Sequence, residues 1–528
     1  MKKQILSLLI FGFGIGNVLS QSSLFVYKNN VLVSNRSVAD IDSVIFKKPT
    51  PLQDSLYMYK NNVVVVKHAV TNIDSIIYYV KNTALTADFT VDKGIGYPDV
   101  FGGSASANRF DVAVNWKNNG ITTYRNDLLL NSIVPNTTLQ NYIDNVGDVQ
   151  NPANWNWGPT SWTDIYHNAG LKNLAIMSYV PVWLSCNGKD MYGVPKNFAV
   201  YKDIITKIYQ HVKGKVDLVE ISNEPDGTSL MSLVGSSYTS RLTAYRDMYY
   251  YASQGIRSVD ATIPIGGPAL TSPWIGTNGI YKNSTEWPDA MLADSRIANN
   301  INFLSLHLYS SPEDQEIANW QAVAAKYGKP NMPIYVDEWN YGSGYGDFPP
   351  IRGMGSSHPW TISYMGYRLT NFLVQHAAGA NLFDLTIISA TDYSLGQFGA
   401  LFPDYTLAPK MRTFKLLSVI LGLGKGQSAL KGISWTDKIL LTNAACAVNA
   451  QGQKVVWLNN FTDNSGYVSL TVKGLVSNTQ YTASVWEASQ SNTTTTVRET
   501  IKFLGAAASA EGIKFYVPAR SVIGLVIQ

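Results

Sequence analysis

Val219-Glu220-Ile221-Ser222-Asn223-Glu224-Pro225-Asp226-Gly227 begins as an apolar run and ends in a Pro-Asp-Gly turn, as a strand does when it gives way to a loop. One carboxylate, Glu224, sits at the changeover, between an amide and a proline. Pro333-Ile334-Tyr335-Val336-Asp337-Glu338-Trp339-Asn340 has the same build, with Glu338 near its end. Around both, short apolar runs alternate with longer amphipathic ones. Strands are expected at 99–103, 121–125, 173–180, 216–223, 262–268, 302–309, 333–339 and 382–389. Helices are expected at 161–169, 200–213, 241–259, 316–327, 361–378 and 409–421, the last opened by Pro409 at its first position. Eight such units give an α/β fold, a (β/α)8 TIM barrel with enlarged loops, over 86–425.

The flanks read differently. Lys2 and Lys3 precede an apolar run that ends in small residues near Ser20, the pattern of a secretory signal peptide over 1–21. The run is too short for a membrane span, and no Cys follows it for a lipid anchor, so a secreted or periplasmic protein is expected. Over 22–85 the stretch Ser23-Leu24-Phe25-Val26-Tyr27-Lys28-Asn29-Asn30 recurs 32 residues later as Ser55-Leu56-Tyr57-Met58-Tyr59-Lys60-Asn61-Asn62. These are expected to be two β-hairpin repeats with a spacer or docking role. After Gly424 short β-like runs separated by Asn, Ser, Thr and Gly point to a C-terminal β-sandwich over 426–528.

In a barrel the C-terminal ends of all strands open on one mouth. Glu224 ends the fourth strand and Glu338 the seventh, so two carboxylates 114 residues apart in sequence meet there. Paired carboxylates at one mouth are what glycoside hydrolysis requires. One protonates the leaving oxygen; the other attacks the anomeric carbon or activates water. The 13 Trp and 31 Tyr suit a carbohydrate partner, since an aromatic face packs on the C–H face of a sugar ring.

Asn223-Glu224-Pro225 on strand four, with Asp337-Glu338-Trp339-Asn340 on strand seven, resembles the large clan of retaining (β/α)8 glycoside hydrolases. The resemblance implies Glu224 as acid/base, Glu338 as nucleophile and Asn223 as the ligand of the sugar 2-hydroxyl. It extends to Gly120-Ile121-Thr122-Thr123-Tyr124-Arg125, whose Arg125 would support the nucleophile. It also extends to Ser305-Leu306-His307-Leu308-Tyr309, whose Tyr309 would touch the nucleophile beside His307. Ser178-Tyr179-Val180-Pro181 resembles the family 39 branch of β-xylosidases and iduronidases. The agarase and porphyranase group, family 86, is the other branch in view. Ser222 stands where many relatives have Trp, and 385–393 offers Asp392 and Tyr393 in place of the usual strand-eight Trp. Trp183, Trp339 and Trp360 are candidate sugar platforms, and Asp127 is a further carboxylate for the same mouth.

Composition narrows the alternatives. A net charge of +4 over 528 residues makes no nucleic-acid surface. Cys186 and Cys446 are the two cysteines, and no metal-ligand spacing occurs. Neither a Gly-x-Ser-x-Gly elbow nor a His-Glu-x-x-His helix is present. The reading is a retaining glycosidase without cofactor or metal, xylosidase- or xylanase-like, with an agarase or porphyranase as alternative. A non-catalytic carbohydrate-binding protein on a barrel is the alternative of another class.

Overall fold

A computed structural model describes residues 83–271, 285–309, 315–340, 360–386, 399–401, 406–436, 440–492, 496–510 and 512–528, with the backbone of six strands between residues 23 and 79. The expected leader at 1–21 lies outside the described residues, as do Asp392 and Tyr393.

Eight parallel strands close a barrel: β1 (Gly102–Ser104), β2 (Thr123–Leu129), β3 (Lys172–Ser178), β4 (Leu218–Ile221), β5 (Ile265–Leu270), β6 (Phe303–Tyr309), β7 (Ile334–Asn340) and β8 (Gly379–Leu382). They are buried almost throughout, as strands covered on both faces must be. Leu174, Ile176, Leu218, Phe303 and Tyr335 form an apolar layer low in the barrel. Two residues further along their strands come Glu220, Ser305 and Asp337, all fully buried. A period of two in side-chain direction puts them on the same inner face, so the barrel changes from apolar to ionic toward its mouth.

Helices cover the outside: α1 (Phe110–Asn118), α2 (Ser161–Asn168), α3 (Phe198–Val212), α4 (Arg241–Arg257), α5 (Glu286–Ala293), α6 (Gln315–Lys326) and α7 (Trp360–Val374). A short α8 (Met411–Phe414) runs on as π-helix through Lys415–Ile420. α3 turns Ile204, Ile205, Ile208 and Val212 inward, a 3.6-residue stripe, and the Asn197 side chain caps it by accepting from the N–H groups of Ala199 and Val200. Helices α1 and α5 were not expected from the sequence. Strand eight lies upstream of its expected 382–389, at Gly379–Leu382. No helix among the described residues is long and apolar enough to cross a membrane.

The C-terminal residues supply eight strands of a nine-stranded sheet. Val456, Leu458, Ile523 and Leu525 share one core with Val468, Leu470 and Phe515 from the far end of the strand order, so the sheet curls over itself as a sandwich does. Its other face packs on α7: Trp457 Nε1 and Asn459 Nδ2 both donate to Oγ1 of Thr370 (2.8 and 2.9 Å).

One expectation is corrected. Strand Thr83–Gly96 belongs to this sheet. It lies antiparallel to Ser428–Trp435 and parallel to Gly466–Lys473, and buries Leu85, Ala87 and Phe89 in the sandwich core. The stretch expected to open the barrel at 86 is therefore a central strand of the other domain. Each repeat holds its expected hairpin, and each hairpin gains a strand from the other repeat. Ser23–Lys28 pairs with Val31–Ser37 and with Ser75–Tyr79 of the second repeat, while Ser55–Lys60 pairs with Val63–Ala69 and with Ser43–Lys47 of the first. Each three-stranded sheet takes its third strand from the other repeat.

A deletion checks the boundary. Removing 22–82 is expected to leave one cooperative thermal transition near that of the whole chain. Extending the cut through Gly96 removes a strand hydrogen-bonded on both sides and is expected to abolish it. Circular dichroism melts that show the two deletions unfolding alike would contradict this assignment.

Candidate active site

Arg125 organises the barrel mouth. It lies on β2 with a side chain only 3% exposed. Its Nε and Nη2 donate to Oε2 of Glu220 (3.0 and 2.8 Å), Nη2 also to Oδ1 of Asn223 (2.7 Å), and Nη1 to Oε2 of Glu338 (3.0 Å). Oδ2 of Asp337 lies 3.0 Å from Nη2. A buried guanidinium needs such oxygens, and its rigid fork holds each in place.

Glu338 reaches this centre through a break in the pleat. Along β6 and β7, Ser305 is opposite Tyr335, but His307 is opposite Glu338; pairing with β8 shifts at the same place. The extra residue is a β-bulge, which re-aims side chains. Asp337 and Glu338 are adjacent, yet both reach Arg125, and strict alternation would have turned Glu338 outward. Trp339 is turned out instead. It is fully buried against Phe372 (5.2 Å, edge-on) and Phe414 (6.3 Å, stacked). The expectation of a sugar platform at Trp339 is therefore corrected: its ring is core between barrel and helices.

Glu224 sits beyond the end of β4 in a tight backbone turn. Ser222 and Glu224 adopt left-handed φ values of 65° and 47°, a cost of about 1–3 kcal/mol each that persists only where the surroundings dictate it. Here the Ser222 N–H donates to Met177 O (3.2 Å) and the Glu224 N–H to Ala269 O (2.9 Å). The turn brings Asn223 to Arg125 and Glu224 to His307, whose Nδ1 is 2.9 Å from Oε1 of Glu224.

His307 and Tyr309, two apart on β6, face the same way and divide the two carboxylates. His307 serves Glu224. Tyr309 donates its phenol proton to Oε1 of Glu338. Burial and the neighbouring Glu338 push the Tyr309 phenol well above its ordinary value, so it remains a donor. Burial disfavours charge on His307, but Glu338 and Asp337, with their nearest oxygens 3.7 Å from Nε2, and the bond to Glu224 outweigh it. The imidazole pKa is raised well above its usual range, which favours the form whose Nδ1–H donates to Glu224.

Two further carboxylates went unassigned in the sequence. Glu220 takes two bonds from Arg125 and one from the Ser305 hydroxyl. Burial first, then the negative Asp337 beside it, push its carboxyl up to about 8. Asp337 resists the same burial because Arg125 and His307 hold it down at about 2. The two titrate as a pair that keeps one proton. A charged residue inside the apolar run Leu218-Val219-Glu220-Ile221 was the available signal, since a buried charge must be paired.

That proton has a stability consequence. The unfolded chain ionises Glu220 near its ordinary 4.5 and the folded chain near 8. Between these values the folded state holds the extra proton, so this group's contribution to stability falls as pH rises, by up to about 1.4 kcal/mol per pH unit. Urea unfolding of wild type and Glu220→Gln at pH 5 and pH 8 reads it. Wild-type stability relative to the variant should fall across that range, and an unchanged or rising difference would refute the shared proton.

Glu224, His307 and Glu338 each offer one ligand atom within 4.8 Å of the others, a spacing that could hold a cation. His307 Nδ1 is already bonded to Glu224, and Arg125 lies 3.0 Å from Glu338. A metal there would have to break the His307–Glu224 bond and face the Arg125 guanidinium, so the donor set does not fit one. Trp183 stacks on Tyr142 (5.3 Å) and donates Nε1–H to Pro135 O (3.2 Å). One face and its polar tip are thus used in packing. Trp360 is buried against Phe461 and Arg520 where barrel and sheet meet.

No family model matches the sequence, and no curated protein does. Solved structures share the fold. A glucosidase from Croceicoccus marinus superposes with a TM-score of 0.60 at 15% identity, over 85% of this chain and 99% of the other. A GH39 enzyme from Xanthomonas axonopodis pv. citri gives 0.58 at 13%, over 85% and 98%. A glycoside hydrolase family 30 subfamily 8 xylanase from Clostridium acetobutylicum gives 0.57 at 14%, over 84% and 99%.

Proposed function

We propose that the protein is a secreted retaining glycoside hydrolase acting by double displacement. One observation carries the reading: an oxygen of Glu224 and an oxygen of Glu338 lie within 4.8 Å of one another at the barrel mouth. Retaining enzymes hold their carboxyl groups about 5–5.5 Å apart, whereas inverting enzymes leave about 6.5–9.5 Å for a water. The fold shared with a glucosidase, a GH39 enzyme and a xylanase supports the same reading, and the Lys2-Lys3 leader supports secretion.

The residues divide the work as follows. Glu338 attacks the anomeric carbon through a free lone pair while Arg125 and Tyr309 hold its two oxygens. The bond to the leaving oxygen breaks, and Glu224 donates its proton to that oxygen. His307 donates to Oε1 of Glu224, which leaves Oε2 to carry the proton. In the second half water attacks the anomeric carbon, its proton passes to Glu224, and the ester bond to Glu338 breaks. Asn223, which accepts from Arg125, binds the sugar 2-hydroxyl.

The xylanase and the GH39 enzyme among the similar structures put β-xylosides and xylan first in the substrate panel. Agarose and porphyran come second and β-glucans third. The test is hydrolysis of this panel with proton NMR of the first product. A hydrolysed β-glycoside that first releases the β-anomer supports the reading. First release of the α-anomer, or no hydrolysis of any panel member, overturns it.

A further inference from the structure

Asp127 is a carboxylate at the mouth with no role in the steps above. It lies two residues beyond Arg125 on β2, hence on the same inner face and nearer the open end. The Ser178 hydroxyl, at the end of β3, donates to its Oδ1. Oδ2 accepts no hydrogen bond among the described residues, and the residue is half-buried. No cation pairs with Asp127 among the described residues, because Arg125 spends its N–H groups on Glu220, Asn223 and Glu338. Burial raises the carboxyl, with Ser178 and Arg125 opposing. The open oxygen of a partly desolvated carboxylate is left for a donor from solvent or from substrate.

We propose that Asp127 is the specificity residue for the sugar unit bound against Glu338, accepting a hydrogen bond from one of its ring hydroxyls. The site then selects a neutral sugar with a free hydroxyl at that carbon. It rejects a deoxy carbon, which leaves Oδ2 unpaired, and a sulfate or carboxylate there, which Asp127 and Glu338 repel. This inference rests on the glycosidase reading and names its substrate class.

The experiment uses the full chain and 4-nitrophenyl β-D-xyloside, or the matching β-D-galactoside where that is the glycoside hydrolysed. kcat/KM is measured for the parent and its monodeoxy and mono-O-sulfated analogues in wild type, Asp127→Ala and Asp127→Asn. Wild type should lose about 10- to 100-fold on one deoxy analogue. Asp127→Ala should lose a similar factor on the parent and no longer distinguish the two. Asp127→Asn, close in shape and still able to accept from Ser178, should show a reduced ratio and tolerate the sulfate better; it carries the comparison if the alanine variant does not fold. A merely structural Asp127 would slow both substrates equally, so an unchanged parent-to-deoxy ratio in both variants overturns the proposal. Wild type inactive on these glycosides and on every polysaccharide of the panel overturns the glycosidase reading itself.

Discussion

Glu338→Gln is expected to lower kcat/KM on every glycoside by about 10^4- to 10^6-fold, the scale of losing a covalent nucleophile. The size follows from the geometry. Glu338 is aimed at the mouth by a bulge in β7 and held by Arg125 and Tyr309, and among the described residues no other carboxylate shares that placement. Asp337 also reaches Arg125, but it is fully buried and cannot meet a substrate. A better leaving group does not help, because the missing step is attack and not departure. The fold should survive, since Arg125 keeps Glu220, Asp337 and Asn223 as partners. Steady-state kinetics beside a thermal melt check this. Residual activity above about 1% in a folded Glu338→Gln would remove Glu338 from the nucleophile's role.

Glu224→Ala should behave differently, and the difference separates the two roles. Without the acid, substrates with poor leaving groups should slow by about 10^2- to 10^4-fold. A dinitrophenyl glycoside needs little protonation, so its first step should survive. The enzyme should then release about one equivalent of phenol and stall, because no base activates water for the second step. Azide needs no base. It should restore turnover in Glu224→Ala and yield a β-configured glycosyl azide. If azide instead rescues only Glu338→Ala and the product is inverted, the two assignments are reversed.

The pairing of Glu224 with Glu338 was legible because it depends on topology alone: two strand ends in a parallel barrel face one mouth whatever their distance in sequence. Arg125, Asn223, His307 and Tyr309 followed from the motifs around them. The side-chain direction along β7 was not legible. A bulge adds one residue to one strand, and nothing in Val336-Asp337-Glu338-Trp339 marks it. Regular pleating offers either Glu338 or Asp337 to the mouth, never both, and gives no sign that Trp339 leaves it. The ionic layer of Glu220 and Asp337 was hidden for a related reason. Each looks like one odd charge in an apolar strand, and only the barrel shows that Arg125 faces both. Strand Thr83–Gly96 was assigned by its neighbours in sequence, whereas its alternation of buried Leu85, Ala87 and Phe89 is satisfied by strands more than 300 residues further on.

The most direct test of the central claim traps the intermediate. A dinitrophenyl 2-deoxy-2-fluoro glycoside of the sugar that wild type hydrolyses should form the glycosyl-enzyme and slow its breakdown, so that intact-protein mass rises by one fluorosugar. Peptide sequencing by mass spectrometry is expected to place that mass on Glu338, with no labelling of Glu338→Gln. A label on any other residue, or time-dependent hydrolysis to inverted product with no covalent adduct, would contradict a double displacement through Glu338.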